Sequence, residues 1–175
     1  MKKLFSFVVV SCLVLFAAAQ SDTTKTIHDF SNHFSMKIPG DVTMMSAEQI
    51  KLKYHKAKDE TTNFYGSADL SFSIVSSVVV PNAVKEEDMV KHKTELLAGL
   101  KAKYTLLTDE VRTVNMHKII VVSFYSDVTD GKVLNKRFFA VVNQKLVSVE
   151  FNATEAELTK RNPQIEASIN SVVIK

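Results

Sequence analysis

The second half of the chain consists of strand-length segments that follow one another through very short connections. These segments, rich in β-branched and aromatic residues, are Leu106 to Val114, Lys118 to Val128, Val133 to Val142 and Lys145 to Phe151. Asp130-Gly131 joins the second segment to the third and supplies the positive φ values that a type I′ hairpin requires. Because turns this short connect antiparallel neighbours, the segments predict an antiparallel meander.

The first half of the chain predicts two further strands. Phe34 to Ile38 alternates apolar and polar residues and ends at Pro39-Gly40. Asp69 to Val80 is longer and places most of its apolar residues on one face, with serines on the other. The polar stretch Ser21 to Lys25 predicts a loosely ordered lead-in before the first of these strands.

Two helices are predicted between the strands. Ser46 to Gln49 has the pattern of a capping box, in which a hydroxyl and a glutamine side chain satisfy each other's backbone, and opens a short helix. Val84 to Tyr104 carries an apolar stripe at helical spacing. Gly99 lies inside that pattern and lowers the stability of the helix by about 1 kcal/mol relative to alanine. Close approach of the helix to the sheet, or a cavity for a ligand, would explain it.

A third helix is predicted at the C-terminus. Thr154 to Glu157 is a second capping-box pattern, which should begin the helix. Pro163 should kink or restart it, because the proline ring removes one helical hydrogen bond. Ile165, Ile169 and Val172 continue an apolar stripe beyond the proline.

These elements predict an α+β fold, in which an antiparallel β-sheet meander packs against helices. Two main helices, each with one apolar face, would cover one sheet and so bury both apolar surfaces. Glycine and proline are spread singly, and no repeat or linker interrupts the pattern. Residues 20–175 are therefore expected to form a single domain.

The order of elements resembles the Mog1/PsbP-like superfamily, and in particular small exported bacterial proteins of that fold. The resemblance rests on Phe34 to Pro39, Ser46 to Tyr54, Asp130-Gly131-Lys132 with Asn135, Phe138 to Phe151, and Ile169-Asn170-Ser171-Val172. Such chains often carry a tryptophan after the proline of the first strand, whereas here Gly40-Asp41-Val42 follows Pro39. Relatives of this fold include a Ran-binding protein and an extrinsic photosystem II subunit. The resemblance therefore implies a sandwich fold and a non-catalytic adaptor or binding role, and transfers no partner.

The N-terminus predicts export. Lys2-Lys3, an apolar run from Leu4 to Phe16 and Ala17 to Ala19 together have the pattern of a secretory signal peptide over residues 1–19, cleaved before Gln20. The mature protein would then be periplasmic or secreted, with no transmembrane segment. Lipidation of Cys12 is the alternative, but an apolar run follows Cys12 where a lipoprotein normally becomes polar.

Cleavage also changes the charge and the cysteine content. The formal net charge would fall from +3 to +1 with the loss of Lys2 and Lys3, so little positive charge remains to meet a nucleic acid. Cys12 is the only cysteine and would leave with the signal peptide. Disulfides, thiol nucleophiles and cysteine–metal sites are therefore not expected in the mature chain.

No catalytic, cofactor-binding or metal-binding residue can be assigned from motifs. The five histidines, none of them at the spacing of a metal-binding helix, are His28, His33, His55, His92 and His117. Glu86 to Asp88 and Asp109-Glu110 are interpreted as helix-start and solvated charges. The chain has no phosphate-binding glycine motif and no nucleophile elbow.

Three functional hypotheses follow. The first is a non-enzymatic exported protein that binds an unknown protein partner or assists an assembly in the cell envelope. The second is a carrier of a small apolar ligand, with a pocket between the helix 84–104 and the sheet near Gly99. The third is a hydrolase whose site has no recognisable motif.

Overall fold

The computed structural model of the protein describes residues 23–55, 61–81, 83–128 and 131–175, so the predicted signal peptide lies outside the described residues. The strands are β1 (Thr24–Asp29), β2 (Phe34–Pro39), β3 (Thr43–Met44), β4 (Thr62–Gly66), β5 (Phe72–Val80), β6 (Leu106–Val114), β7 (His117–Val128), β8 (Gly131–Val142), β9 (Lys145–Thr154) and β10 (Val173–Ile174). The helices are α1 (Ala47–Tyr54), α2 (Glu86–Lys91), α3 (Lys93–Lys101) and α4 (Leu158–Asn170), with a 3₁₀ turn at Glu155–Glu157.

The strands form two antiparallel sheets, where the sequence predicted one. The large sheet has the order β3-β4-β5-β9-β8-β7-β6, and β6 to β9 form the predicted meander. The small sheet has the order β1-β2-β10. β1 begins at Thr24, so the loosely ordered lead-in is wrong for its last two residues, while residues 21 and 22 lie outside the described chain. The α+β architecture itself is as predicted.

The main core lies between the inner face of the large sheet and the layer formed by the small sheet and α4. Phe34, Met36 and Ile38 alternate along β2 and point into this core. Ile165 and Ile169 enter it from α4. All five side chains are fully buried. This confirms the apolar stripe predicted for the last helix.

The outer face of the large sheet is covered by two separate helical units. At one end Ile50 of α1 packs with Phe64 of β4. At the other end Met89 of α2 and Leu97 of α3 pack against Ile120 of β7, within a larger apolar cluster. The sheet between these two units has no helix over it in the described structure, and this gap positions the candidate site.

The helix predicted over 84–104 is divided in two. α2 ends at Lys91 and α3 begins at Lys93, and the intervening His92 has φ −97° and ψ 24°, outside the helical values. No proline or glycine marks this break in the sequence. The division allows Met89 and Leu97 to be buried against the same sheet.

Of the two capping boxes that the sequence predicts, one is present in the structure and one is absent. At α1 the predicted capping box is complete, because Gln49 N donates to Ser46 Oγ over 3.2 Å and Ser46 N donates to Gln49 Oε1 over 2.9 Å. At Thr154 the helical stretch begins as predicted, with the 3₁₀ turn Glu155–Glu157 leading directly into α4, but the capping box is absent. Thr154 itself still belongs to β9, and its backbone N–H donates to the Ser71 carbonyl. Its side chain makes no capping bond.

Pro163 does not restart the last helix. α4 runs from Leu158 to Asn170 as a single element with Pro163 inside it. Arg161 on one side of the proline and Ile165 on the other are both buried. Packing of the two flanking turns therefore holds the helix together although one backbone hydrogen bond is missing.

Candidate ligand-binding site

An open trough crosses the outer face of the large sheet between α1 and α3. It consists of two adjoining grooves that share Val79, Arg137 and Glu150. The first, the α3 groove, has a volume of about 500 Å³ and is also lined by Leu96, Gly99, Leu100, Lys103, Tyr104, Phe124, Asn135 and Phe139. The second, the α1 groove, has a volume of about 370 Å³ and is also lined by Tyr54, Thr62, Phe64, Val75, Ser77, Val78 and Ser148.

The floor of the trough is polar because of the strand register. Arg137 of β8 lies opposite Glu150 of β9, and Ser77 of β5 lies opposite Ser148 of β9. Successive side chains of a strand point to opposite faces, so the polar residues at alternate positions collect on the outer face. Asn135, two residues before Arg137, belongs to the same face.

Arg137 and Glu150 form an ion pair at the point where the two grooves meet. Both Nε and Nη2 of the guanidinium donate to Oε2 of Glu150, and the Nε distance is 2.5 Å. The side chains are 28% and 18% exposed, so the pair faces the trough without being fully solvated. Within the described chain, Nη1 of Arg137 and Oε1 of Glu150 have no hydrogen-bond partner.

The neighbouring floor residues are held in fixed positions. The Asn135 amide donates to Ser126 Oγ over 2.8 Å and to the Val133 carbonyl over 3.0 Å. Its Oδ1 has no protein partner among the described residues. The hydroxyls of Ser77 and Ser148 lie 3.2 Å apart and share one hydrogen bond. The floor therefore offers further acceptors and hydroxyls beside the ion pair.

Aromatic rings form the walls. Tyr104 stacks on Phe124 in the α3 groove, with ring centroids 4.4 Å apart. Tyr54 packs against Phe64 in the α1 groove at 5.1 Å. The Tyr54 hydroxyl donates to Ser73 Oγ over 2.8 Å, and burial raises the pKa of this tyrosine.

Gly99 lines the α3 groove and does not approach the sheet closely. A Cβ built at this position would have no atom within 4 Å. Of the two explanations that the sequence left open, close packing against the sheet is therefore wrong, and an open space beside the helix is present. The groove lies between α3 and the sheet, where the carrier hypothesis placed a pocket.

A second polar cavity, of about 340 Å³, lies between the two sheets. Asp29 of β1 is 8% exposed and accepts hydrogen bonds from Asn63 Nδ2 and Ser76 Oγ of the large sheet. Burial raises the pKa of Asp29. The carboxyl group is thus used to join β1 to β4 and β5.

The histidines do not come together. His28 and His33 lie on β1 and in the turn after it, whereas His55 ends α1 and His92 separates α2 from α3. His117 begins β7, and its Nδ1 lies 3.2 Å from Glu86 Oε2. Among the described residues, histidine, aspartate and glutamate side chains form no group of three or more that could hold a metal ion.

The acidic pair Asp109-Glu110 has structural partners. Lys93 and Lys101 of α3 each reach Asp109 with Nζ at 2.7 Å, and these lysines, Lys101 first, lower its pKa. Glu110 pairs with Arg112 of the same strand. Asp109 therefore fastens α3 to β6, the edge strand of the large sheet.

Arg137 and Glu150 of the candidate site were not predicted from the sequence, where no site residue could be assigned. These residues belong to no motif and are brought together by the β8–β9 register. A usable signal was present: polar residues recur at every second position of two otherwise apolar segments, as Asn135 and Arg137, and as Ser148 and Glu150. The pattern places a polar strip on one face, although it does not show that the helices leave the strip open.

Comparison with known proteins gives structural likeness without sequence likeness. No protein-family model matches the chain, and no curated protein matches its sequence. The part of the chain that the structure describes has no helix of the length and apolar character that crossing a membrane requires.

The solved structures that are similar to this one include the following three. A Bacteroides thetaiotaomicron protein has a TM-score of 0.59 at 11% identity; the match covers 86% of this chain, which spans about half (48%) of that protein. Cyanobacterial PsbP (CyanoP) from Synechocystis has a TM-score of 0.59 at 8% identity, with 95% and 99% of the two chains covered. LpqN, involved in cell envelope biogenesis in Mycobacterium tuberculosis, has a TM-score of 0.53 at 8% identity, with 87% and 91% covered. At these identities the likeness concerns architecture alone, and the chain has an α+β fold like that of cyanobacterial PsbP.

Proposed function

We propose that this is an exported, non-catalytic binding protein of the cell envelope, and that the trough is its binding site. The observation that carries the proposal is the Arg137–Glu150 pair, which lies where the two grooves meet and keeps one donor nitrogen and one acceptor oxygen unpaired. Both atoms face the open trough, so a ligand can form hydrogen bonds with them without first breaking the ion pair. An open concave surface with such groups suits recognition.

Export is supported by the signal-peptide pattern of residues 1–19 and by one comparison. LpqN, which has a similar fold, is involved in cell envelope biogenesis. A non-catalytic role is supported by the sequence, which carries none of the familiar catalytic motifs. The proposal includes a partner in the envelope whose identity is unknown. It also includes cleavage of the signal peptide between Ala19 and Gln20.

The second hypothesis, a carrier of a small apolar ligand, fits the geometry of the trough less well. Leu96 and Leu100 give the α3 groove an apolar wall, but its floor contains Arg137, Glu150 and Asn135. An apolar ligand would cover Nη1 of Arg137, Oε1 of Glu150 and Oδ1 of Asn135 and leave these three atoms without hydrogen-bond partners, which is unfavourable. A ligand with its own polar groups fits the trough better.

Nuclear magnetic resonance of the isotopically labelled exported protein tests the proposal. Envelope extract from the native host would be separated into protein, glycan and lipid fractions and titrated into the protein. We expect at least one fraction to shift the amide signals of Ser77, Arg137 and Ser148 without shifting that of Met116, which is 91% exposed and outside the trough. The same fraction should have a weaker effect on a Gly99→Trp variant, because Gly99 lines the α3 groove and has open space beside it for a larger side chain. Titrations in which no fraction moves the trough signals would contradict the proposal.

A further inference from the structure

We propose that the trough binds an uncharged oligosaccharide, held by Arg137 and Glu150 on the floor and by the aromatic walls. This inference rests on the proposed function, since it specifies the ligand of the same site. Four features of the trough support this ligand class: the charge balance, the unpaired donors and acceptors, the aromatic walls, and the position on the sheet.

The charge balance favours a neutral ligand. Arg137 and Glu150 neutralise each other on the floor. Apart from two tyrosines, Lys103 is the one further ionisable residue lining the two grooves of the described structure, and it is exposed at the edge. A single exposed lysine is screened by solvent and salt and gives little attraction for an anion.

The unpaired groups suit hydroxyls. A hydroxyl both donates and accepts, so neighbouring hydroxyls of a sugar ring can accept from Nη1 of Arg137 and donate to Oε1 of Glu150 at the same time. Asn135 offers Oδ1 as an additional acceptor on the same face. Because the ion pair fixes the guanidinium and the carboxylate relative to each other, this donor and acceptor are already oriented before a ligand binds.

The walls supply the apolar part of the contact. Tyr104 and Tyr54 stand on opposite sides of the floor, each stacked or packed on a phenylalanine. Their rings offer apolar surface with a polar tip, which suits the C–H faces and hydroxyl edges of a sugar. The two groove volumes of about 500 and 370 Å³ each fall in the usual range for a small-ligand site, roughly 300–1,000 Å³, so the trough can take more than one sugar ring.

An extended peptide fits this position less well. Peptides that bind to sheets commonly add a strand at an unpaired edge, where backbone groups are free. The floor strands β5, β9 and β8 lie inside the large sheet, with a neighbour on each side. A peptide in the trough would therefore have only side chains available for its backbone groups.

The experiment measures binding of defined probes by the exported protein. The saccharide probes are cellotetraose, maltotetraose and tetra-N-acetylchitotetraose at millimolar concentration. The comparison probes are an uncharged alanine–serine peptide and laurate. Amide shifts of Ser77, Arg137 and Ser148 report on the trough for every probe.

Two pairs of variants make the result specific. Arg137→Lys keeps a positive charge beside Glu150 but removes Nη1, and we expect the affinity for the saccharide to fall about tenfold or more. Arg112→Lys is the matched control, because Arg112 pairs with Glu110 and Glu166 outside the trough. Tyr104→Leu should also weaken binding, whereas Tyr125→Leu, an exposed tyrosine on the same sheet, should leave it unchanged.

The outcomes separate this inference from the proposed function. A saccharide that shifts the trough signals and loses affinity with Arg137→Lys but not with Arg112→Lys supports both. Trough shifts with the peptide or laurate and with none of the saccharides would overturn the saccharide inference and leave the binding function standing. If neither these probes nor the envelope fractions shift the trough, both proposals fail.

Discussion

Arg161 of α4 and Asp41, in the loop after β2, form a bidentate ion pair. Nη1 of the guanidinium lies 3.1 Å from Oδ1 of the carboxylate, and Nη2 lies 2.8 Å from Oδ2. Arg161 is only 2% exposed, and its guanidinium lies 4.7 Å from the centroid of the Phe72 ring. The Arg161 guanidinium lowers the pKa of Asp41. This contact fastens the last helix to the loop after β2, so it should affect the stability of the whole fold.

Replacing Arg161 with methionine should lower the free energy of unfolding by about 2 kcal/mol, measured by urea denaturation. The loss falls short of that for a fully buried pair because Asp41 is 48% exposed and stays solvated. Lys160→Met is the control: its Nζ lies 3.7 Å from the same carboxylate and is 52% exposed, so its loss should be below about 0.5 kcal/mol. Equal losses for the two variants would show that the buried contact has no special role.

Asp29 should make stability depend on pH in an unusual direction for a carboxylate. Burial raises the pKa of Asp29 above its ordinary value of 3.8, so the folded protein keeps this proton to higher pH than the unfolded chain does. The protonated form of Asp29 contributes fully to the unfolding free energy below about pH 3.8. This contribution is lost as the pH rises through the pKa that Asp29 has in the folded protein. The Asp29→Asn variant lacks this titration.

Urea denaturation of the native protein and Asp29→Asn over a pH series checks this prediction. The unfolding free energy of the native protein minus that of the variant should decrease as pH rises above about 3.8 and then level off. A difference that grows with pH would mean that the bonds from Asn63 and Ser76 outweigh burial of the charge.

Lys53 of α1 is a second group whose burial can be tested. Burial lowers the pKa of Lys53 from 10.5 to about 8, and its Nζ donates to the Leu70 carbonyl. Between these two pH values the unfolded chain binds more protons than the folded protein, so the unfolding free energy should rise as pH increases from about 8 to 10.5. Lys53→Met should remove this contribution.

Carbon-13 resonance of the Lys53 Cε gives its pKa directly, and guanidinium chloride denaturation across the same pH range gives the stability slope. Lys51→Met, an exposed lysine on the same helix, controls for loss of a positive charge. If the Cε signal of Lys53 titrates at the ordinary value of 10.5, the prediction is wrong.

Local patterns predicted the elements whose physical cause lies within a few residues. The α1 capping box needs only Ser46, Gln49 and the backbone between them, and both of its hydrogen bonds are present. For the predicted hairpin, Val128 pairs with Gly131, which has φ +134°, whereas Asp130 lies outside the described residues. The capping box predicted at Thr154 is absent, because a distant partner, the Ser71 carbonyl, accepts the backbone N–H of Thr154 and holds this residue in the sheet.

The candidate site depends on relationships that a sequence does not display. Arg137 and Glu150 meet because β8 and β9 pair in one register, and a shift by one residue would put them on opposite faces. The open floor depends further on where α1 and α3 stop, and the break at His92 has no sequence signal. Alternating polar residues in β8 and β9 could have located the strip, but the grooves beside it are tertiary features.

Two glycines give opposite predictions for the same substitution. Gly99→Ala should raise the free energy of unfolding by up to about 1 kcal/mol, because alanine favours the helix and no atom lies within 4 Å of the new Cβ. Gly40→Ala should lower it by about 1–3 kcal/mol, because the new Cβ would lie 2.7 Å from the Thr23 carbonyl oxygen. The effect on the unfolded chain is the same in both, so their difference reports on the folded protein alone. Thermal and urea denaturation of both variants measure it, and a destabilised Gly99→Ala would mean that the space beside α3 is filled.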